Sequence, residues 1–138
     1  MNIRVMTKSD IPIIYNFWKK VGLDVAGFER EKKEIEMCIK LNSDSCLLLK
    51  KDGKLIGTVI GTFNGRRAWI YHLAIHPKWQ REKYGSLLYE KVEELLKKKG
   101  ATKIILGISL KSPKVFNFYK RYGYKVIENA IMVEKDLY

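Results

Sequence analysis

Between Ala68 and Lys98 the hydrophobic pattern changes period with no linker in between. Ala68 to Ile75 reads as a strand that Pro77 terminates. From Tyr84 onward Tyr84, Leu87, Leu88, Val92, Leu95 and Leu96 make one helical stripe, and Glu90, Lys91, Glu93, Glu94, Lys97 and Lys98 lie elsewhere. Gly100 closes that helix, and Lys103 to Ile108 reads as the next strand. Strand, helix and strand in this order make a crossover with parallel strands. A chain containing one is committed to an α/β sheet.

The rest of the chain supplies the remaining strands and helices. Ile3 and Val5 alternate with polar neighbours as a short first strand, followed by Ser9 or Asp10 as helix cap and Pro12 in the first turn. Ile14, Phe17, Trp18 and Val21 then recur at the spacing of a buried helix face, with Gly22 as the stop. A second helix spans Arg30 to Leu41 on Ile35, Cys38 and Ile39. Cys46 to Leu49 and Leu55 to Thr62 flank Asp52-Gly53, a hairpin signal that Asn64-Gly65 repeats before the strand at Ala68. Ser112-Pro113 reads as the cap of a last helix running to about Tyr122, with Gly123 as its stop. Lys125 to Ile127 and Ala130 to Glu134 read as two final strands. The expected fold is therefore a single α/β (α+β) domain over residues 1–138, with a mixed sheet and the order β-α-α-β-β-β-α-β-α-β-β.

Charge narrows the partner. The 138 residues carry 27 Lys and Arg against 15 Asp and Glu, a formal +12, which draws anions toward the protein. Nucleic acid, an anionic membrane and a phosphorylated small molecule all satisfy that attraction. The lysines alternate with glutamates on amphipathic helices, and no RNP-like, zinc-finger or helix-turn-helix pattern occurs, which argues against nucleic acid. No window has the apolar length of a membrane span, and the N-terminus carries no apolar leader region. Cys38 and Cys46 form no C-x-x-C and read as small hydrophobes in a reducing compartment. The expectation is a cytoplasmic protein without a metal, since His72 and His76, four apart on a strand, do not converge.

The anion has a natural seat. A strand that runs through a short turn into a helix presents unpaired N–H groups and the positive helix end at one spot, here Gln80 to Ser86. Gly85 lets a ligand approach the backbone, and Arg81 and Lys83 add charge. One glycine at a helix start is a common feature. The wider segment Y-H-L-A-I-H-P-K-W-Q-R-E-K-Y-G-S-L-L, Tyr71 to Leu88, resembles the acetyl-CoA signature of the Gcn5-related N-acetyltransferase (GNAT) superfamily. Leu73-Ala74-Ile75, Pro77, Gln80, Gly85 and Leu87-Leu88 fall in register with it, and Lys83 stands where the first motif glycine would be. F-Y-K-R-Y-G-Y, Phe118 to Tyr124, is similar to the family's L-Y-x-x-x-G-F.

That resemblance implies a sheet splayed between its fourth and fifth strands by a bulge, with freed backbone groups pairing with the pantetheine arm of acetyl-CoA. Leu73, Ala74 and Ile75 would line that arm. Gln80, Arg81, Glu82, Lys83, Tyr84, Gly85 and Ser86 would hold the pyrophosphate. Ser112 stands near where the family places an asparagine on the cofactor, although Ser before Pro is first a helix cap, and Asn117 is a further cofactor neighbour. Tyr119 aligns with the tyrosine that protonates the departing thiolate. Its alternative is a core tyrosine beside Val115, Phe116 and Tyr122.

The general base is less readable. The positions at which several family members carry a glutamate correspond to Trp69 and Gly107, neither of which takes a proton. His72 titrates near neutrality beside the acetyl-binding stretch, and Asp24 and Glu29 lie in the loop that helps build the acceptor pocket. The implied reaction is acetyl transfer to the amine of a small molecule or protein, by direct attack in a ternary complex. The competing reading is a basic nucleic-acid- or partner-binding module on a degenerate acetyltransferase scaffold. The final strands are available to pair across a homodimer.

Overall fold

The computed structural model describes residues 1–138, which form two compact units, residues 1–106 and 107–138. The first unit contains a five-stranded sheet in the spatial order β1-β2-β3-β4-β5, with β1 Asn2–Val5, β2 Cys46–Lys51, β3 Lys54–Phe63, β4 Ala68–Ile75 and β5 Ile104–Ile105. Neighbours are antiparallel up to β4, and β5 lies parallel to β4. The mixed α/β class expected from the pattern is what forms.

Each boundary has a local cause. Helix α1, Ile11–Val21, begins with Pro12 in its first turn and ends where Gly22 turns left-handed at φ 87°. Asp10, one of the two expected caps, is its N-cap, and Thr7 and Asp10 form a reciprocal capping box on the short 3-10 turn Lys8–Asp10 ahead of it. Helix α2 is Phe28–Leu41. Asp52 and Gly53 both take positive φ, 51° and 75°, which lets two residues close the β2–β3 hairpin. Asn64-Gly65 makes a longer connection, in which Asn64 Oδ1 accepts the N–H groups of Arg66 and Arg67 at 2.9 and 2.8 Å. Helix α3, Tyr84–Lys98, carries the crossover and stops at Gly100, φ 102°.

The sheet is covered on both faces. On one, Ile14, Phe17 and Trp18 of α1 and Ile35 of α2 pack with Cys46, Leu48, Ile60 and Ala74. On the other, Leu88, Val92 and Leu96 of α3 are fully buried. Gly57 and Gly61 let α3 come close, because a Cβ at Gly61 would stand 2.5 Å from Val92 Cγ2 and one at Gly57 2.9 Å from Leu88 Cδ1. Burial on both faces explains why Leu47, Leu48 and Leu49 form an apolar run without alternation.

The second unit departs from the pattern. Its helix α4 spans Val115–Lys120, shorter than expected, and Ser112 lies in the turn before it without a side-chain capping bond. The carbonyl of Ser112 accepts the Val115 N–H at 3.1 Å, so the serine starts the turn through its backbone. No strand forms at 125–127 or 130–134, where Val126, Ile127, Ile131, Met132 and Val133 are exposed. β-favouring residues specify a face to bury and leave the hydrogen-bonding partner unspecified. For the same reason β5 shrinks from the expected 103–108 to two residues.

Candidate active site

The site starts with an extra residue in β4. Thr58 pairs with Ala74 and Ile60 with Tyr71, so Val59 alone faces the two residues His72 and Leu73. That is a bulge, and His72 enters it at φ 50°, a left-handed backbone that a residue with a Cβ adopts at a cost of about 1–2 kcal/mol. Its side of the ladder is held from below. Trp18 Nε1 donates to Thr58 Oγ1 at 2.8 Å, and that hydroxyl donates to the His72 carbonyl at 3.0 Å. The Trp18 indole also stacks on the His72 imidazole with centroids 4.3 Å apart. Burial pushes the His72 pKa below its ordinary value, so the ring is neutral at pH 7.

The bulge lies beyond the end of the short β4–β5 ladder. β4 pairs with β5 only at Ala68 and Trp69, and beyond them the β5 side of β4 has no neighbouring strand. Leu73, Ala74 and Ile75 lie on this unpaired stretch, Ala74 buried and the other two half-buried.

The chain then turns into α3. Pro77 to Trp79 form a short 3-10 turn that His76 caps, its Nδ1 accepting the Lys78 N–H at 3.1 Å, so His76 is a structural residue. The Gln80 side chain donates to the Ile75 carbonyl at 2.9 Å, which ties the turn to the end of β4. Arg81 and Lys83 both take positive φ, 68° and 59°, and Lys83 is the N-cap of α3. The Lys83 carbonyl accepts the Leu87 N–H at 2.9 Å, leaving the earlier N–H groups of the helix without an intrahelical acceptor. Lys51, reaching from the end of β2, donates to Tyr84 Oη at 2.9 Å and lies 4.4 Å from the centre of the Trp79 ring. Lys51, Arg81 and Lys83 thus place positive charge around a helix end that itself favours anions. Gln80 to Lys83 are exposed, and Tyr84, Gly85 and Ser86 are half-buried.

On the α1–α2 face a cavity of about 840 Å³ opens between α2 and the strands β3 and β4. Its β4 wall is Trp69, Tyr71 and His72, with the rings of Trp69 and Tyr71 parallel and 6.4 Å apart. Its α2 wall includes Glu31, Glu34, Ile35 and Cys38. Asn42 closes one end, its Oδ1 accepting the Phe63 N–H at 2.9 Å and joining α2 to β3. Burial pushes the Cys38 thiol up, and Cys46 is pushed up to about 12, so both remain protonated apolar groups.

The residues inferred from the sequence divide accordingly. His72, Leu73, Ala74 and Ile75 share the bulged strand, and Gln80 to Ser86 share the turn that follows it. Asp24 and Glu29 are exposed and do not line the cavity. Glu31, which sequence reasoning passed over, does. Two residues from Glu29, it falls on the inner face of α2, and its spacing from Ile35 was the available signal. In the second unit Ser112 and Asn117 are exposed, whereas Tyr119 is buried, 5.2 Å from the Phe118 ring and 5.4 Å from that of Tyr124. Burial and the neighbouring Tyr124 hold the Tyr119 phenol well above its ordinary pKa.

This architecture recurs in known proteins. An acetyltransferase of Pectobacterium atrosepticum is 23% identical over 93% of this chain and 90% of its own length. The crystal structure of Ard1 from Thermoplasma volcanium superposes with a TM-score of 0.80 at 19% identity, covering 91% of this chain and 83% of that one. A predicted acetyltransferase from Clostridium acetobutylicum, solved with acetyl-CoA, superposes at 0.74 with 15% identity over 96% and 95%. The sequence profile of the Acetyltransferase (GNAT) family matches residues 12–124, a span that includes the bulged strand, the strained turn and Tyr119, and the chain belongs to that family.

Proposed function

We propose that the protein transfers the acetyl group of acetyl-CoA to a primary amine, by direct attack within a ternary complex. The observation that carries this reading is the bulge at His72 and Leu73, on a stretch of β4 beyond its two pairings with β5, a strand edge that suits pairing with an extended ligand. The turn after it suits the other end of the same molecule. Three of the four non-glycine residues with positive φ, His72, Arg81 and Lys83, lie in this one segment. Backbone strain concentrated in this way is characteristic of a ligand site.

The reaction needs a neutral amine, a polarised carbonyl and a proton for the departing thiolate. A lysine-type amine with pKa about 10.4 costs roughly 4.6 kcal/mol to deprotonate at pH 7, and an α-amine near 7.8 roughly 1. We assign the acceptance of that proton, directly or through water, to His72, which is neutral and at the bulge. Tyr119, by its alignment with the family's thiolate-protonating tyrosine, is assigned as the proton donor; burial keeps its phenol protonated and also makes it a weaker acid. The alternative of a nucleic-acid-binding module gains no support from α3, where Lys97 and Lys98 pair with Glu93 and Glu94.

Thiol release from acetyl-CoA, measured against a panel of amines, amino acids and peptides, tests the reaction. Turnover with at least one amine is expected. Tight acetyl-CoA binding with no acceptor turned over would leave a binding scaffold only. For the donor, Tyr119→Phe is expected to lower kcat by roughly ten- to a hundredfold while acetyl-CoA affinity changes little. Equal turnover in the variant removes Tyr119 from the mechanism.

A further inference from the structure

Glu31 is out of balance with its surroundings. It is 9% exposed, and one carboxylate oxygen, Oε2, is buried without any hydrogen-bond partner. The carboxyl is held toward the Ala26 backbone, yet burial first and then the nearby Glu34 raise its pKa, outweighing the opposing effects of Arg30 and of that backbone bond. Arg30 compensates it only in part, because its guanidinium is exposed and engaged with Glu34 at 3.0 Å. A buried carboxylate in that condition is costly unless something positive joins it.

The cavity that Glu31 lines has the complementary character. In a chain with 27 Lys and Arg, no lysine or arginine lines it. Trp18, Trp69 and Tyr71 present aromatic groups, Ile35 and Ile60 aliphatic ones, and Glu31 and Glu34 two carboxylates one helical turn apart. Aromatic faces and carboxylates attract organic cations, and the aliphatic wall suits a methylene chain. At about 840 Å³ the cavity exceeds what one small amine fills, and its other wall ends at His72 in the bulge.

Resting on the acetyl-transfer reading above, we propose that the acceptor is a small aliphatic diamine or longer polyamine, whose non-reacting ammonium is anchored by Glu31 while the other amine is presented at the His72 bulge. The division of roles follows from acid–base chemistry. A carboxylate that holds an ammonium raises its pKa, which opposes the neutral form that attack requires. The held cation is therefore the spectator, and the amine that reacts lies beside the uncharged His72. Glu34, more exposed and shared with Arg30, contributes less.

Calorimetric titration with hexamethylenediamine and with hexylamine, in the presence of CoA, reads the anchor without requiring turnover, and steady-state acetylation of the same amines reads its use. A purely apolar groove would prefer hexylamine. The diamine is instead expected to bind roughly tenfold or more tightly than the monoamine, a factor in keeping with a charge-assisted hydrogen bond. Glu31→Gln is expected to abolish that preference, raising KM for the diamine with kcat, acetyl-CoA affinity and hexylamine binding unchanged. Glu34→Gln is expected to weaken the preference only about two- to threefold. Equal binding of the two amines by the native protein, or a preference that survives in Glu31→Gln, overturns the proposal. A Glu31→Gln variant whose kcat falls equally with both amines overturns it also, by making Glu31 the base. If the diamine preference is present in calorimetry but no amine is acetylated, the anchor stands and the acetyl-transfer reading fails.

Discussion

At the scale of single residues, Lys83 is where the chain departs most from the pattern it resembles, and its conformation says what the departure means. It caps α3 at φ 59°, in the left-handed region where glycine is unstrained. Lys83→Gly is therefore expected to stabilise the protein by about 0.5–1 kcal/mol, the relief of strain being partly offset by the greater freedom of glycine in the unfolded chain. Urea unfolding at equilibrium measures it. Lys83→Ala removes the charge and keeps the strain, so the pair also separates the two contributions to acetyl-CoA binding. Weaker binding in both variants assigns the role to the ammonium, and unchanged binding in both removes any direct role. The lysine was visible in the sequence, but its φ was not, because a backbone angle forced by a turn leaves no trace in composition. Glu31 was hidden for a different reason. A glutamate in a strongly charged helix reads as solvated until packing shows which side of the helix faces inward, and only the position of Ile35 four residues on gave the direction.

At the scale of elements, the boundaries that the sequence announced were those with chemical punctuation. Pro12 and Gly22 frame α1, Asp52-Gly53 closes a hairpin, and Gly100 ends α3. Strand β4 formed over the expected Ala68–Ile75, since Pro77 stops it and both of its faces carry large side chains. The final strands had no such support, and β-favouring residues alone did not form them. The bulge lay between these cases, implied by the resemblance and unreadable from β4 itself, because it is defined by register against β3. The packing of α3 on β3 depends on the two glycines of that strand. Gly61→Ala would bring a methyl group 2.5 Å from Val92 Cγ2 and 3.2 Å from the Ser45 carbonyl. The expected loss is about 1–3 kcal/mol, read as a lower thermal midpoint, and Val92→Ala in the same chain should recover part of it. Additive losses in the double variant would mean that the helix does not rest on this contact.

For the molecule as a whole, stability against acid is concentrated where β1 meets α1. The Arg4 guanidinium grips Asp10 with two hydrogen bonds of 2.8 Å, and the Thr7 N–H and hydroxyl donate to the same carboxylate at 2.8 and 3.0 Å. Arg4 first, with the Thr7 donors, holds the Asp10 carboxyl well below the usual carboxylate range against the opposing effect of burial. A depressed folded-state pKa contributes stability that is complete above the unfolded value, about 3.9, and is lost as pH falls from there toward the folded one. Asp10→Asn is expected to cost about 2–3 kcal/mol at neutral pH, and its stability should vary less than that of the native protein below about pH 4. Parallel pH profiles in urea would show that the pair contributes nothing. The β4 bulge bears on stability in the opposite sense. Val59 faces two residues where a regular ladder needs one, so removing a single codon at position 72 or 73 would heal the sheet and erase the site together. Stability and the acetyl-CoA site proposed above therefore make opposite demands on the length of this strand.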